Sequence, residues 1–239
     1  MADTYYAIIS HKREKNVAKM QELVPDAIWY VGEGEAEVYK KAGAKKVIES
    51  GGLIDSRNAA LDDAFKKKMN CVQLSDDFGG VMLAGEKKDK SISIEQAVNI
   101  MGSTAEKIGA KLAGTAPTAN RFYVDINKPV RTHHFIVGDF IWIAPSKPRF
   151  DKELRLKEDY DFTAQHLKEY GVVARLDVLM AKFAHRTNAG GAVAYRTSQL
   201  EQDAIAYLKK KWAGVVIDNP RRQDEILFKG EAVLRGGNG

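Results

Sequence analysis

Short apolar runs alternate with amphipathic segments through the first third of the chain. The apolar runs predict strands at 5–10, 27–31, 46–49 and 71–74. Apolar residues at helical spacing lie between them and predict helices at 17–23, 35–42 and 53–69. Strands that alternate with helices in this way are typical of a mainly parallel sheet with helices packed on it.

The rest of the chain continues this pattern less regularly. Helices are predicted at 95–112, 162–170 and 198–212, and strands at 122–126, 135–143 and 172–176. The strand at 135–143 would be interrupted at Gly138 and Asp139. We therefore expect an α/β protein with three layers, in which a mostly parallel mixed central sheet is flanked by helices. Residues 1–200 would form this domain, and residues 201–239 would form a C-terminal helical extension packed on it.

Composition limits the class of protein without deciding it. The 239 residues include 44% apolar and 29% charged residues, which is ordinary for a soluble globular protein. A formal net charge of +5 permits an anionic partner, although many unrelated enzymes share this balance. Cys71 is the only cysteine, so no disulfide can form within the chain, and a reducing compartment such as the cytoplasm is expected. No apolar run reaches transmembrane length, so we expect no membrane partner.

Two adjacent acids follow the predicted strand at 71–74. The residues directly after this strand are Ser75, Asp76 and Asp77. They would lie at the C-terminal edge of the sheet, which is where open α/β sheets bind ligands. Adjacent carboxylates repel each other unless a cation holds them, and hard oxygen ligands favour Mg²⁺ or Mn²⁺. A solvated Asp-Asp turn explains the same residues equally well.

Two helix starts carry further candidate residues. Arg57 and Asn58 lie near the start of the helix at 53–69, where an arginine beside helix N-terminal amides can meet a phosphate. Glu158 and Asp159 open the helix that continues through 162–170. For both clusters the simpler interpretation is structural, as an ordinary helix-start arginine and as acids that suit the helix dipole.

A polar loop and several basic clusters complete the candidates. His185 and Arg186 lie in a glycine-bearing polar loop at 184–198. A lone histidine is more often structural, but its neighbours here favour a functional role. Basic residues at 147–157, 209–211 and 221–222 are candidates for phosphate contacts, or else are solvated surface charge.

The order of these motifs resembles the nucleotide-sugar glycosyltransferases of the GT-A fold. The matching sequences are SHKRE, SRNAALDDA, VQLSDDFG, GDFIWIAPS, KEDYDFTAQHLKEYG and AHRTNAGG, over about residues 4–195. Within that fold, KEDYDFTAQHL followed by HRTNAGGAVAYR resembles the group associated with TET/JBP-type base-modifying enzymes. That group is found largely in tailed bacteriophages and resembles transferases that put sugars on 5-hydroxymethylpyrimidines in DNA.

The resemblance implies a role for each candidate residue. The donor would be a UDP-sugar, a divalent ion (Mn²⁺ or Mg²⁺) would bridge its diphosphate, and the acceptor would be a base in DNA. The host cytoplasm would be the site of action if the gene belongs to a phage. The implied donor-binding residues are Ser10, Arg13, Arg57, Asn58 and Asp76; the metal ligands Asp77 and His185; the catalytic residues Asp159 and Glu158; and the DNA contacts Lys147, Arg149 and Arg186. The family pattern at the end of this strand is of the Asp-x-Asp type, with acids at both outer positions. This chain has Ser75 at the first of them, so Asp77 is the expected metal ligand.

Two alternatives stay open at this point. The chain could be a GT-A transferase that acts on a glycan or protein, for which aromatic platforms near the acceptor would be typical. It could also be a non-catalytic DNA-binding protein of the same fold. The sugar, the base, the stereochemistry and the oligomeric state do not follow from the sequence.

Overall fold

The computed structural model describes residues 3–184, 197–222 and 225–236. Its strands are β1 (Thr4–Ile9), β2 (Ile28–Val31), β3 (Val47–Glu49), β4 (Asn70–Ser75), β5 (Phe78–Leu83), β6 (Lys90–Ile92), β7 (Leu112–Thr115), β8 (Val130–Arg131), β9 (Phe140–Ile143), β10 (Ala174–Leu176), β11 (Leu179–Phe183), β12 (Val216–Asp218) and β13 (Ile226–Phe228). Its helices are α1 (Val17–Leu23), α2 (Ala36–Lys41), α3 (Leu53–Lys66), α4 (Ile94–Ile108), α5 (Glu158–Tyr170), α6 (Ser198–Lys211) and α7 (Gly230–Leu234). Two 3₁₀ turns lie at Glu14–Asn16 and Arg121–Tyr123.

Eight strands form the central sheet in the order β3-β2-β1-β4-β9-β7-β10-β8. β1 pairs in parallel with β2 and β4, and β7 pairs in parallel with β10. β9 is antiparallel to both β4 and β7, and β8 is antiparallel to β10. The expected mixed and mostly parallel sheet is therefore confirmed. A smaller sheet, β11-β5-β6, continues directly from the end of β4.

The apolar residues of the central strands are divided between two cores, one on each face of the sheet. Val72 and Leu74 of β4 belong to the core that includes residues of α1, α2 and α4. Cys71 faces the other core, which contains residues of α3, α5 and α6. Because successive side chains of a strand point to opposite faces, an uninterrupted apolar strand such as β4 must be covered on both sides. The three-layer arrangement follows from this burial.

One predicted strand is wrong and another is wrong in part. Residues 122–126 are not a strand, because a 3₁₀ turn at Arg121–Tyr123 occupies this place. The strand predicted at 135–143 begins only at Phe140, after a turn at Gly138 and Asp139. The 3₁₀ turn is stabilised by the Asn120 side chain, which accepts a hydrogen bond from the Phe122 amide at 3.0 Å.

No helix within the described ranges is long and apolar enough to cross a membrane.

The segment after residue 200 packs on the sheet domain through a buried carboxylate of α5. Asp161 is fully buried and accepts hydrogen bonds from Trp212 Nε1 at 2.7 Å and Gln165 Nε2 at 2.6 Å. Lys211 Nζ lies 2.8 Å from the same carboxylate. In addition to α6 and α7, this segment contains the hairpin β12–β13, which the helical pattern did not predict.

We predict that Trp212→Phe lowers the free energy of unfolding by about 1–3 kcal/mol, since a hydrogen bond to a charged, buried group is lost. Chemical denaturation measures this value. Tyr207→Phe is the matched control, because it removes a donor to Asp151 in a more exposed place, with the O···O distance at 2.7 Å. An equal or smaller loss for Trp212→Phe than for the control would contradict the anchoring role of Asp161.

Candidate functional site

The two acids predicted at the end of β4 lie at the C-terminal edge of the sheet, and we refer to Asp76 and Asp77 as the acidic pair. Both side chains are buried. In the parallel register Ile9 of β1 lies beside Ser75 of β4, which places the residues after each strand next to each other. Ser10 Oγ accordingly donates a hydrogen bond to Asp76. Ser10 and Asp76, two of the implied donor-binding residues, are therefore in contact with each other, and their role in binding a donor stays a prediction.

Arg13 provides a positive charge beside the acidic pair. Its Nη1 atom donates to Asp76 Oδ1 at 3.0 Å and lies 3.7 Å from Asp77 Oδ2. Burial raises the pKa of Asp76, and the hydrogen bond from Ser10 and the charge of Arg13 oppose this rise. A second cation lies close by, because Lys19 Nζ bonds the Phe78 carbonyl oxygen at 2.6 Å. An arginine thus supplies part of the charge compensation that the sequence pattern alone ascribes to a metal ion.

Tyr39 of α2 completes this network and was not predicted. Its hydroxyl lies 2.6 Å from Ser10 Oγ and accepts from the Arg13 amide at 3.0 Å. Burial, with the charge of Asp76 nearby, raises the pKa of Tyr39 to about 12, so the hydroxyl stays protonated at neutral pH. In the sequence Tyr39 is one apolar position of a short helix, and that pattern carries no signal of a polar role.

The donor set at the acidic pair fits a divalent ion only in part. Within the described residues no group of three His, Cys, Asp or Glu side chains could hold a metal ion. Both oxygens of Asp76 already accept hydrogen bonds, from Ser10 and Arg13. Asp77 brings the hard carboxylate oxygens that Mg²⁺ and Mn²⁺ prefer. His185, the other predicted ligand, lies outside the described residues, and so does Arg186.

A second acidic cluster lies at the start of α5 and is held by Arg57. The Arg57 Nε atom lies 3.1 Å from Glu158 Oε1, and both side chains are buried. Arg57 Nη1 also donates to Gln73 Oε1 at 3.1 Å and to the Gly138 carbonyl oxygen at 3.0 Å. Arg57 therefore connects α3, β4, the turn before β9 and α5, and its guanidinium faces the protein interior. The contact with a donor phosphate stays a prediction.

Asp159 is bound to the same turn. The Gly138 amide donates to Asp159 Oδ2 at 3.1 Å. A Cβ atom at position 138 would lie 2.8 Å from Arg57 Nη2 and 3.3 Å from the Asp159 Cβ atom, so glycine allows this close approach. The turn also reaches the acidic pair, because the Ser75 amide donates to the Asp139 carbonyl oxygen at 2.8 Å. The two acidic clusters are thus connected through residues 138–139.

The pKa of Asp159 is raised from 3.8 to about 7. Burial is the largest cause and the charge of Glu158 adds to it, whereas the Gly138 amide and Arg57 oppose it. A carboxyl group with a pKa near neutrality can take up a proton from a substrate hydroxyl and release it again.

Three other predicted site residues make contacts within the protein on the face of the sheet covered by α3, α5 and α6, which we refer to as the helical face. The Asn58 side chain bonds both the amide and the carbonyl oxygen of Phe150, each at 2.8 Å. Lys147 pairs with Glu169 at 2.6 Å. Arg149 pairs with Asp62 at 2.9 Å, and its Nη1 atom also donates to nearby carbonyl oxygens. Nothing in this geometry tests the predicted donor and DNA contacts of these residues.

A groove of about 880 Å³ lies on this helical face, away from the sheet edge. Neither the acidic pair nor Asp159 is among the residues that line it. Three of the four cations that line it are paired with acids: Arg149 with Asp62, Lys152 with Asp55, and Lys211 with Asp151. We place the candidate site at the C-terminal edge of the sheet instead, because the pKa of a buried carboxyl group is strongly shifted there.

Comparisons with known proteins add little to this description. No protein-family model matches the chain, and no curated protein matches it. Among solved structures, it is similar to the mannose-1-phosphate geranyltransferase from Thermus thermophilus, with a TM-score of 0.38 and 11% identity. The similarity covers 89% of this chain and 65% of the other, and a likeness of this size supports no statement about activity.

We predict that Arg57→Ala lowers the free energy of unfolding by about 3–5 kcal/mol, because Glu158 would be left buried without its cation. Arg222→Ala is the control, since the Arg222–Glu225 pair is exposed and such pairs contribute about 1 kcal/mol or less. The double variant Arg57→Met, Glu158→Gln should recover much of the lost stability, as it removes both charges. Chemical denaturation that gives equal losses for Arg57→Ala and Arg222→Ala would contradict the buried-pair assignment.

Proposed function

We propose that the protein is a nucleotide-sugar glycosyltransferase whose acceptor is a hydroxymethylated pyrimidine base in DNA. The observation that supports this proposal best is the position of Asp159. A carboxyl group with a pKa of about 7 lies at the same sheet edge as the acidic pair, and the turn at 138–139 joins them. A transferase that inverts the anomeric centre needs a proton acceptor, and it needs a site for the donor diphosphate, which carboxylates supply only through a bound cation.

In the proposed reaction Asp159 acts as the general base. Its carboxylate takes the proton from the acceptor hydroxyl, the hydroxyl oxygen bonds to the anomeric carbon of the sugar, and the bond from that carbon to the diphosphate oxygen breaks. The electron pair of the broken bond leaves with the diphosphate. Arg57 holds Glu158 and the Gly138 turn in place, and in this way it orients Asp159.

On the donor side, Ser10, Arg13 and Tyr39 fix Asp76 in place. Arg13 carries one positive charge against the two carboxylates of the acidic pair, and counting Lys19 leaves no surplus positive charge for an anionic diphosphate. We propose that Asp77 holds a divalent ion here, as the resemblance to the GT-A fold implies. When bound, such an ion supplies positive charge to the leaving diphosphate.

The proposed acceptor is a base in DNA. A net charge of +5 is consistent with binding to DNA. A base inside a duplex could not reach a carboxyl group in the protein such as Asp159, so it would have to be flipped out or be unpaired. Treating hydroxymethylated DNA with the protein and several UDP-sugars, and then weighing the digested nucleosides by mass spectrometry, tests the reaction directly. Absence of any added sugar mass would contradict a DNA acceptor.

We predict that transfer by the wild type falls about tenfold per pH unit below pH 7, because Asp159 becomes protonated and can no longer accept a proton. Asp159→Asn should lower the rate by about 10²–10⁴-fold, as expected for loss of a general base. Asp203→Asn on the exposed face of α6 is the control and should keep the wild-type profile. A wild-type rate for Asp159→Asn would refute the assignment.

Stability gives an independent measurement of the same group. The folded-state pKa of Asp159 is raised above its ordinary value of 3.8, so the folded protein binds more protons than the unfolded chain between pH 3.8 and about 7. Its contribution to stability is present at low pH and is lost as the pH rises through 7. The difference in unfolding free energy between Asp159→Asn and wild type should therefore grow in favour of the variant over this range. A constant difference would contradict the raised pKa.

We predict that a UDP-sugar binds about tenfold or more weakly in EDTA than in Mn²⁺, since a bound metal ion contributes several kcal/mol of charge stabilisation. Asp77→Asn should abolish this difference, whereas the exposed control Asp62→Asn should retain it. Calorimetric titration in both media measures the affinities. Equal affinity of the wild type with and without the metal would remove the proposed role of Asp77.

A further inference from the structure

Phe122 and Tyr123 are exposed to an unusual degree. Their exposed fractions are 85% and 67%, whereas the other exposed large apolar residues of the described ranges are aliphatic and less than half exposed. The two rings stand at right angles to each other with centroids 5.2 Å apart. Aromatic rings that stay in water contribute almost no burial free energy to folding, and exposed apolar patches often mark a binding surface.

The exposure is fixed by the backbone contacts of the 3₁₀ turn that carries the rings. Arg121 Nη1 donates to the Val124 carbonyl oxygen at 3.0 Å, and Nη2 donates to the Gly85 carbonyl oxygen at 3.2 Å. Arg121 Nε lies 3.2 Å from Asp89 Oδ1. These bonds join the turn to the loop between β5 and β6, so the two rings are presented on a held segment rather than on a frayed one.

The rings lie on the same side of the molecule as the candidate site. Their loop follows the C-terminal end of β7 and leads to β8, which are two and four strand positions from β4, or roughly 10 and 20 Å at ordinary strand spacing. Tyr123 is close enough to Arg222 to influence its pKa. Arg222 bonds Glu225 at 2.7 Å, and Glu225, like Asp159, raises the pKa of Tyr160. This chain of neighbours runs from the two rings to the proposed base.

The loops around the rings carry excess positive charge. They are GEKKDK at 85–90, NRFYVDINKPVR at 120–131 and the described residues 219–222 and 225, with eight basic against four acidic residues. One of the eight, Arg131, is paired with Asp177 at 3.3 Å. Aromatic rings beside positive charge are the combination that binds unpaired nucleic acid, in which bases stack on the rings and cations meet the phosphates. A sugar ring can also stack on an aromatic ring, but a neutral glycan gains nothing from the surplus positive charge.

We propose that Phe122 and Tyr123 form a stacking platform for an unpaired base of a single-stranded nucleic acid that reaches the transfer site. The link to transfer rests on the proposed function, whereas binding to the platform does not. A strand held there would place neighbouring nucleotides along the sheet edge towards Asp159. The acceptor would then enter as a single strand or as a locally opened duplex.

Fluorescence anisotropy with a labelled twelve-nucleotide oligothymidine tests the platform in the absence of donor. The double variant Phe122→Ala, Tyr123→Ala should bind about 5- to 150-fold more weakly, which is the range for loss of one stacked base. The ring-preserving variant Phe122→Tyr, Tyr123→Phe should bind like the wild type. Leu23→Ala is the control, because Leu23 is an exposed apolar residue at the end of α1, a helix that runs back from the C-terminal edge of the sheet.

Three results separate this proposal from the proposed function. Equal oligothymidine affinity of wild type and the alanine double variant would overturn the platform. Loss of affinity for a neutral oligosaccharide, with oligothymidine binding unchanged, would also overturn it and favour a glycan. Ring-dependent oligothymidine binding by a protein that binds no UDP-sugar calorimetrically would support the platform and refute the transferase.

Discussion

The edge of this sheet depends on the pairing of buried carboxylates with arginines. Arg57 lies 3.1 Å from Glu158, and Arg13 lies 3.0 Å from Asp76. A charge taken out of water is unfavourable by several kcal/mol unless a partner and hydrogen bonds compensate it. The two arginines arise from different parts of the chain, one after β1 and one in α3, and each reaches an acid that is distant in sequence. The sheet edge can hold its acids because the parallel order of β1 and β4 and the packing of α3 on α5 bring these cations to them.

Asp159 differs from the other acids of this edge because the contacts that lower its pKa do not offset the rise caused by burial. Its carboxylate accepts hydrogen bonds only from backbone amides, those of Gly138 and Tyr160, while Arg57 lies against Glu158. Burial and the neighbouring acid therefore raise its pKa to about 7. By contrast, Ser10 and Arg13 act directly on Asp76 and favour its charged form. This edge of the sheet thus holds two kinds of carboxyl group, one paired directly with an arginine and one able to exchange a proton near neutral pH.

The sequence predicted the parts of the fold that depend on periodicity. The alternation of strands and helices defined the parallel half of the sheet, and the position of Asp76 after a buried strand located the edge. The segment at 122–126 shows where this reasoning fails. Its aromatic and β-branched residues favour a strand locally, but strand propensity acts only where a neighbouring strand is available to pair. Arg121 bonds the loop at Gly85 instead, and this long-range contact leaves no trace in the local pattern.

The side-chain partners of the site were also hard to predict, because they too are long-range contacts that leave no trace in the local sequence pattern. Arg57 at a helix start suggests a phosphate contact when only its helix is considered, yet its guanidinium bonds Gln73 and the Gly138 carbonyl oxygen inside the protein. Tyr39 carried no polar signal at all. Such contacts are set by which elements are neighbours in three dimensions, and a single sequence does not contain that information in its periodicity.

The turn at 138–139 connects the acidic pair at the end of β4 with Asp159 at the start of α5. The turn receives the Ser75 amide on one side and donates to Asp159 on the other, so it fixes the proton acceptor relative to the end of β4. A side chain larger than that of glycine at position 138 would come within 2.8 Å of Arg57 and force it or Asp159 to move. Because β9 runs antiparallel to β4, the start of β9 meets the end of β4 at the same edge. The reversed direction of this one strand is therefore what allows a short turn, rather than a long loop, to connect the two acidic clusters.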